Sequence, residues 1–273
     1  MTTVESSPLG KPVSYGSTHD PSLLHPITRA PLRAALGIAD ALPFVGVDLW
    51  NAYELSWLDA RGKPRVALAE LRVPAASTNL IESKSLKLYL GSFAQTRLDS
   101  SDALRAQLVA DLSAAAGSPV TVVLTSAQTA PPHEVLSGEL IDDLPLDIHH
   151  YGPPRADFIA VDPERRVEET LVSHLLKSNC PVTGQPDWAS LQIHYAGARL
   201  ERDGLLRYLV SFREHAEFHE ACVERIFVDL MARATPTRLS VYARYTRRGG
   251  IDINPYRCSP GMLLPGNPRT ARQ

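Results

Sequence analysis

Cys180 stands in the polar run SNCPVTGQPD (178–187), and Asp187 closes that run. A thiol between two strands can be drawn toward the thiolate by a neighbouring charge or hydrogen bond, and the thiolate is the form that attacks electrophilic carbon. The same residues also read as an inert small side chain and as a turn, Pro186-Asp187-Trp188, leading into a strand, so the pair alone does not choose. The other two cysteines offer less. Cys222 lies in a helical pattern with Phe218, Ile226 and Phe227 and reads as core, and Cys258 has no evident partner. None of the three sits at a Cys-x-x-Cys spacing, so no metal site is expected.

Two further clusters carry charge where chemistry could use it. His219 and Glu220 are neighbours in EHAEFHEACVER (214–225). Consecutive helical side chains point about 100° apart, so the two share a pocket only at a helix end or in a groove. On a solvated face they would merely join Glu214, His215, Glu217 and Glu224. The run ESKSLK (82–87) reads as a helix start, where free amides and the positive end of the helix dipole suit an anion and Lys84 adds charge. The alternative is a capped amphipathic helix with solvated lysines. Arg247-Arg248-Gly249-Gly250 reads as a turn whose backbone can approach a phosphate. No Gly-x-Gly-x-x-Gly follows a strand, and no Walker loop, Gly-x-Ser-x-Gly elbow or His-Glu-x-x-His run is present. Nicotinamide use therefore cannot be read from a dinucleotide fingerprint.

The elements that must position these residues come in a repeated order. From Val47 to Val73 the pattern is a hairpin, with Val47, Leu49, Tyr53, Leu55 and Trp57 on alternate positions and ARGK (60–63) at the turn. A helix is expected from about Glu82, and another from Ser101 with Leu104, Leu108 and Leu112 on one face and a stop at Gly117. VTVVLTS (120–126) reads as a buried strand. After a Pro- and Asp-rich stretch at 131–154 the order returns: strands at 167–176 and 188–195, helices at 203–213 and 215–232, and a strand at 238–245. LKLYLGSF (86–93) aligns with LLRYLVSF (205–212) at an offset of 119, and VADL (109–112) with FVDL (227–230) at 118. A long-period repeat is architectural information. It divides the chain into an arm (1–35), a first module (36–150) and a second (151–273), each an antiparallel sheet with helices on one face, an α+β fold.

The bulk numbers bound the partners. Formal charge is -2 and the pI is about 6.5 over 273 residues, so no global basic field draws nucleic acid or an anionic membrane. Three widely spaced cysteines suit a reducing compartment. MTTVESSPLG lacks the basic-then-apolar start of a signal peptide, and no window nears the roughly 20 apolar residues of a membrane span. A soluble, cytoplasmic protein is expected.

ESKSLKLYLGSF (82–93), SNCPVTGQPDW (178–188), FHE (218–220) and RRGGIDINPYR (247–257), taken together and in this order, resemble the NADPH-dependent 7-cyano-7-deazaguanine reductases (QueF) of the long, bimodular type. The resemblance implies two tandem tunnelling-fold modules assembling into a barrel, as a homodimer without direct nucleic-acid or membrane contact. It implies reduction of the nitrile to a primary amine in queuosine biosynthesis, with two NADPH per turnover as substrate and no metal. By motif, Cys180 would be the nucleophile that forms a thioimide and Asp187 the proton donor. Ile81, Glu82, Ser83, His219 and Glu220 would contact the base, and Ser83, Lys84, Arg248 and Gly249 would hold NADPH. Two other readings use the same thiol or none: a nitrile-hydrolysing or cyclohydrolase-type relative, and a purine-binding module without catalysis.

Overall fold

A computed structural model describes residues 7–8, 10–39, 41–129 and 132–273. Its contacts group the chain into two compact units, each drawn from several segments. One unit comprises Met1–Ala35, Val47–Pro132 and Arg247–Ile253; the other comprises Leu36–Gly46, His133–Thr246 and Asn254–Gln273.

The first unit is built on β1 (Pro26–Thr28), α1 (Arg29–Ala34), β2 (Val45–Leu58), β3 (Pro64–Pro74), β4 (Asn79–Ile81), α2 (Ser83–Gly91), α3 (Ser101–Ala116) and β5 (Thr121–Thr125). β3 pairs antiparallel with both β2 and β5. The expected hairpin forms, but its alternation changes phase. A bulge between Ala52 and Leu55 puts Trp50 and Ala52 into the core before it and Leu55 and Trp57 after it, leaving Tyr53 half-buried. α3 presents Leu104, Leu108 and Leu112 fully buried, starts at a Ser100 cap and ends at Gly117 in the left-handed region, as its sequence predicts. VTVVLTS is not a buried strand. β5 pairs with β3 alone, and Thr121 and Val123 are exposed, so this β-branched run serves an edge. Residues 1–35 are not uniformly extended either: β1 and α1 are regular, and Arg29 donates to Asp48 at 2.5 Å and to Ser77 at 3.1 Å in buried surroundings. Tertiary ionic contacts of that kind leave no periodic trace in the sequence.

The second unit holds β6 (Glu139–Leu140), β7 (Val161–Asn179), β8 (Pro186–Leu200), α4 (Arg202–Val210), α5 (His219–Ala234) and β9 (Arg238–Tyr245); a last strand, β10 (Ile251–Cys258), begins in the first unit and ends in this one. The order here is β10-β9-β8-β7-β6, antiparallel except for the β6–β7 pair. The second helix starts later than the helical pattern from residue 215 suggests. Residues 215–217 are held out of it by backbone bonds to Asn179.

Each unit carries the same polar staple. Tyr89 donates to Asp111 at 2.7 Å and Tyr208 to Asp229 at 2.6 Å, while Ser92 and Ser211 each donate to the carbonyl of their tyrosine at 2.6 Å. The rings of Tyr89–Phe93 and Tyr208–Phe212 meet edge-on with centroids 5.4 and 5.3 Å apart. These are the letters matched at offsets of 118 and 119. The likeness therefore lies in contacts as well as in residue types. The structure is a mixed α+β protein dominated by antiparallel pairing.

Candidate active site

Cys180 follows the last residue of β7. Its N–H donates to the Gln185 carbonyl at 2.8 Å and its carbonyl accepts from Gly184 N–H at 3.0 Å, which fixes the turn into β8. On the other side Asn179 N–H donates to His215 O at 2.8 Å, and Asn179 O accepts from Glu217 N–H at 3.1 Å. The residue before the thiol is thus clamped between a hairpin and the 215–217 strap. The strap is anchored in turn: Arg225 donates to Glu217 through Nη2 at 2.8 Å and Nε at 3.0 Å, and His215 lies 3.1 Å from the same carboxylate. Burial pushes the Glu217 carboxyl up, but the bonds from His215 and Arg225 outweigh it and hold the group below the usual range. Loop position does not expose the thiol. Pro181–Pro186 are exposed, while Cys180 itself is 4% exposed.

Asp187 lies on β8 across from Ser178, in the pair next to the Asn179–Pro186 pair that leads into the turn. It is 4% exposed, and its Oδ1 is 3.3 Å from Nε2 of His219. His219 and Glu220 are the first two residues of α5, the kind of helix end at which adjacent side chains can share a pocket. Glu220 is 3% exposed, and a carboxylate in the first turn is favoured by the helix dipole. The His219 ring packs against Tyr245 with centroids 4.0 Å apart and planes at 61°. Next to Tyr245 lie Cys222 and Ser178, and burial raises the Tyr245 phenol and the Cys222 thiol well above their usual range. The Ser178 and Tyr245 hydroxyls are near enough to Cys222 to influence it, yet neither makes a hydrogen bond of good geometry. Sequence reasoning missed Tyr245, Ser178 and the Glu217–Arg225 anchor. Tyr245 sits in a strand pattern that any β protein could carry, and only its packing marks it.

The remaining site candidates belong to the first unit. Ile81 ends β4 at 3% exposure. Glu82, 1% exposed, is the N-cap of α2: its carboxylate accepts from Lys84 N–H at 2.6 Å and Ser85 N–H at 2.9 Å, and Ser83 Oγ stands 3.3 Å away. The helix start is therefore no free anion cradle, because an acid of the same motif already satisfies its amides. Lys84 Nζ donates to the Lys11 carbonyl at 2.5 Å. Arg248 and Ile251 exchange backbone bonds of 2.9 and 3.2 Å around Gly249 (φ 59°) and Gly250 (φ 79°). That turn needs both glycines. A Cβ on Gly249 would come 2.9 Å from Lys87 Nζ, and one on Gly250 would come 2.3 Å from the Glu54 carboxyl carbon. A cavity of about 180 Å³ is lined there by Tyr15, Glu54, Lys87, Gly249, Gly250 and Ile251, among others. The candidates thus fall into two sets: Cys180, Asp187, His219 and Glu220 in one unit, and Ile81, Glu82, Ser83, Lys84, Arg248 and Gly249 in the other.

Residues 15–124 match the family described as nitrile reductase, 7-cyano-7-deazaguanine-reductase N-term, and residues 186–261 match the QueF-like protein family. The NADPH-dependent 7-cyano-7-deazaguanine reductase of Stenotrophomonas maltophilia is 60% identical over 97% of this chain and 97% of its own. The protein of the same name from Burkholderia multivorans is 58% identical over 98% of this chain and 99% of its own. The chain belongs to this family. A crystal structure described as the archaeosine synthase QueF-Like in the apo form aligns with 41% of this chain and 99% of its own at 17% identity and a TM-score of 0.30, too little to argue from. Membership gives the clamped thiol and the Asp187–His219 pair a context that the residue pattern lacked. Among the described residues no helix is long and apolar enough to cross a membrane, and no three His, Cys, Asp or Glu side chains gather as metal ligands.

Proposed function

We propose that the chain reduces the nitrile of 7-cyano-7-deazaguanine to the primary amine, with Cys180 as nucleophile and Asp187 as proton donor. The observation that carries the reading is that one unit holds a backbone-clamped thiol at a hairpin turn whose returning strand carries the buried Asp187, 3.3 Å from His219 of α5. A nitrile carbon accepts hydride poorly. The Cys180 sulfur therefore adds first: a C–S bond forms, one C≡N π bond breaks, and the nitrogen takes its proton from Asp187, giving a thioimide without a free nitrogen anion. Bound NADPH would supply hydride in two rounds, two equivalents with two protons balancing a nitrile reduced to an amine. The chain's own residues do the rest. Cys180 leaves as thiolate after the first round, and burial around Asp187 keeps water from the labile imine.

Glu220 accepts hydrogen bonds from the ring N–H and exocyclic amine of the base, and His219 with Ile81, Glu82 and Ser83 adds contacts. A base whose edge does not offer both donors would forfeit part of this two-point contact, which is how Glu220 would select. Ser83, Lys84, Arg248 and Gly249 hold the dinucleotide. They fit it through side-chain cations and the glycine backbone rather than through helix amides, since Glu82 occupies those. The reading includes two tandem tunnelling-fold modules closing a barrel in a cytoplasmic homodimer.

One experiment tests it. With the nitrile and no NADPH, intact mass should rise by one base on the wild type and not on Cys180→Ala; on adding NADPH, two equivalents should be oxidised per nitrile. Nitrile lost without NADPH oxidation means hydrolysis, and binding without adduct or turnover means a binding module. Either would overturn the proposal.

A further inference from the structure

We propose that Tyr245 is a positioning residue for the reaction: its ring fixes the plane of His219 so that Nε2 stays on Asp187 while Asp187 hands over its proton. The inference rests on the reading of Asp187 given above.

His219 is the first residue of α5, and its N-cap, Phe218, makes no side-chain cap bond. A side chain in that position has only its own packing to hold it. Its contact with Asp187 is 3.3 Å, a single edge interaction that leaves rotation about the axis through Nε2 free. What stops that rotation is Tyr245. Centroids 4.0 Å apart are close even for an aromatic pair, and the 61° tilt sets one ring's edge on the other's face. Tyr245 is itself immobile: it is 1% exposed at the end of β9, pairs with Ala189 of β8, and its carbonyl accepts from the buried Gln273 side chain at 3.0 Å. Ala189 lies two positions after Asp187 along β8. The ring that holds the imidazole and the carboxyl that meets it thus ride on one pair of strands.

The phenol's hydroxyl does not explain the residue. It is buried without a hydrogen bond of good geometry, which stability alone would remove by Phe. The ring is therefore what the position requires. Around this corner stand Asp187 from β8, Tyr245 from β9 and Cys222 on the helix of His219; Glu217, two residues before His219 and outside the helix, is paired to Arg225 and His215.

The test is thioimide formation before NADPH, followed by stopped-flow absorbance and intact mass, in the wild type, Tyr245→Phe and Tyr245→Leu. The phenylalanine variant should form adduct within about threefold of the wild-type rate. The leucine variant should lose tenfold or more in adduct rate while base affinity, to which His219 gives one contact of several, changes less than threefold, a split that general loosening of the fold would not give. Equal rates in the leucine variant overturn the positioning role, and a large loss in the phenylalanine variant overturns the assignment to the ring. Should the leucine variant not fold, the wild type decides: a nuclear Overhauser contact between the His219 and Tyr245 rings should persist in the adduct, and its loss overturns the proposal. Absence of any adduct in the wild type would instead remove the reading of Cys180 itself, an outcome distinguishable from all of these.

Discussion

Cys180 and Asp59 hold the same place in two hairpins. Asp59 N–H donates to Lys63 O at 3.0 Å and its carbonyl accepts from Gly62 N–H at 2.8 Å, just as Cys180 bonds Gln185 and Gly184. The residue before each is clamped alike: Leu58 N–H to Thr96 O and Leu98 N–H to Leu58 O, both 2.9 Å, beside Asn179 with His215 and Glu217. Each strand also carries its bulge at the same distance from the turn, Ala52/Leu55 and Ser173/Leu176. Where one hairpin has a thiol, the other has a carboxylate that ties its own turn, accepting from Arg61 and Lys63 N–H at 3.0 Å. The backbone arrangement around Cys180 exists twice, and the thiol is present once.

Asp59→Ala should therefore be a stability change only. These turn bonds are exposed, so a drop of a degree or two in Tm is expected, with adduct formation at Cys180 unaltered. The bond from Lys63 N–H, ahead of opposing desolvation, holds the Asp59 carboxyl below its usual range. Its small contribution is thus present above the unfolded carboxyl's range and is lost as pH falls through the lower folded value. A variant that melts like wild type at pH 7 but loses adduct formation would contradict the division of roles.

Asp187→Asn should slow thioimide formation by about 10²- to 10⁴-fold, the usual worth of a positioned proton donor. The amide keeps the shape of the group, so base affinity should change little. An unchanged adduct rate, measured by intact mass against time, removes Asp187 from the step.

The hairpins, α3 with its serine cap and glycine stop, and the repeat were legible because each rests on local rules. Leu104, Leu108 and Leu112 fall on one helical stripe, and Gly117 takes a conformation few other residues accept. The bulge at Ala52/Leu55 was not legible, since it shifts a period of two without changing composition. The burial of Cys180 was not legible either. The residue before it pairs with the distant strap at 215–217, and no window of sequence joins the two. The ESKS run suggested an anion site by the helix-start rule, yet the same run contains the acid that fills it. Tyr245 escaped notice for the opposite reason: its strand is unremarkable and its partner, His219, lies in another element.

Arg225→Met should unfasten that strap. Glu217 and Arg225 are half-buried, and Glu217 would keep only His215 among its named side-chain partners; losing hydrogen bonds to a charged group costs about 1.5–3 kcal/mol. Because Glu217 N–H bonds Asn179, the adduct rate should fall along with Tm. The pH sign follows from the depressed Glu217 carboxyl. Its stabilisation is present above the unfolded glutamate value of about 4.3 and disappears as pH falls through the lower folded one, so acid should narrow the gap between variant and wild type. A Tm difference that widens below pH 4 would refute this account of the anchor.

Gly250→Ala separates the two sets of site residues. At φ 79° an alanine pays about 1–2 kcal/mol of left-handed strain, and its Cβ would sit 2.3 Å from the Glu54 carboxyl carbon. The far end of Glu54 can swing away from that collision, but the strain stays in the Arg248–Ile251 turn. The fold should survive with a Tm lowered by several degrees. The turn is assigned to the dinucleotide and not to the base, so adduct formation without NADPH should run at the wild-type rate, whereas the KM for NADPH should rise tenfold or more as Arg248 and Gly249 shift. Single-turnover kinetics resolve the two steps: a variant slowed equally in adduct formation and in NADPH oxidation would show that this turn does not serve the dinucleotide.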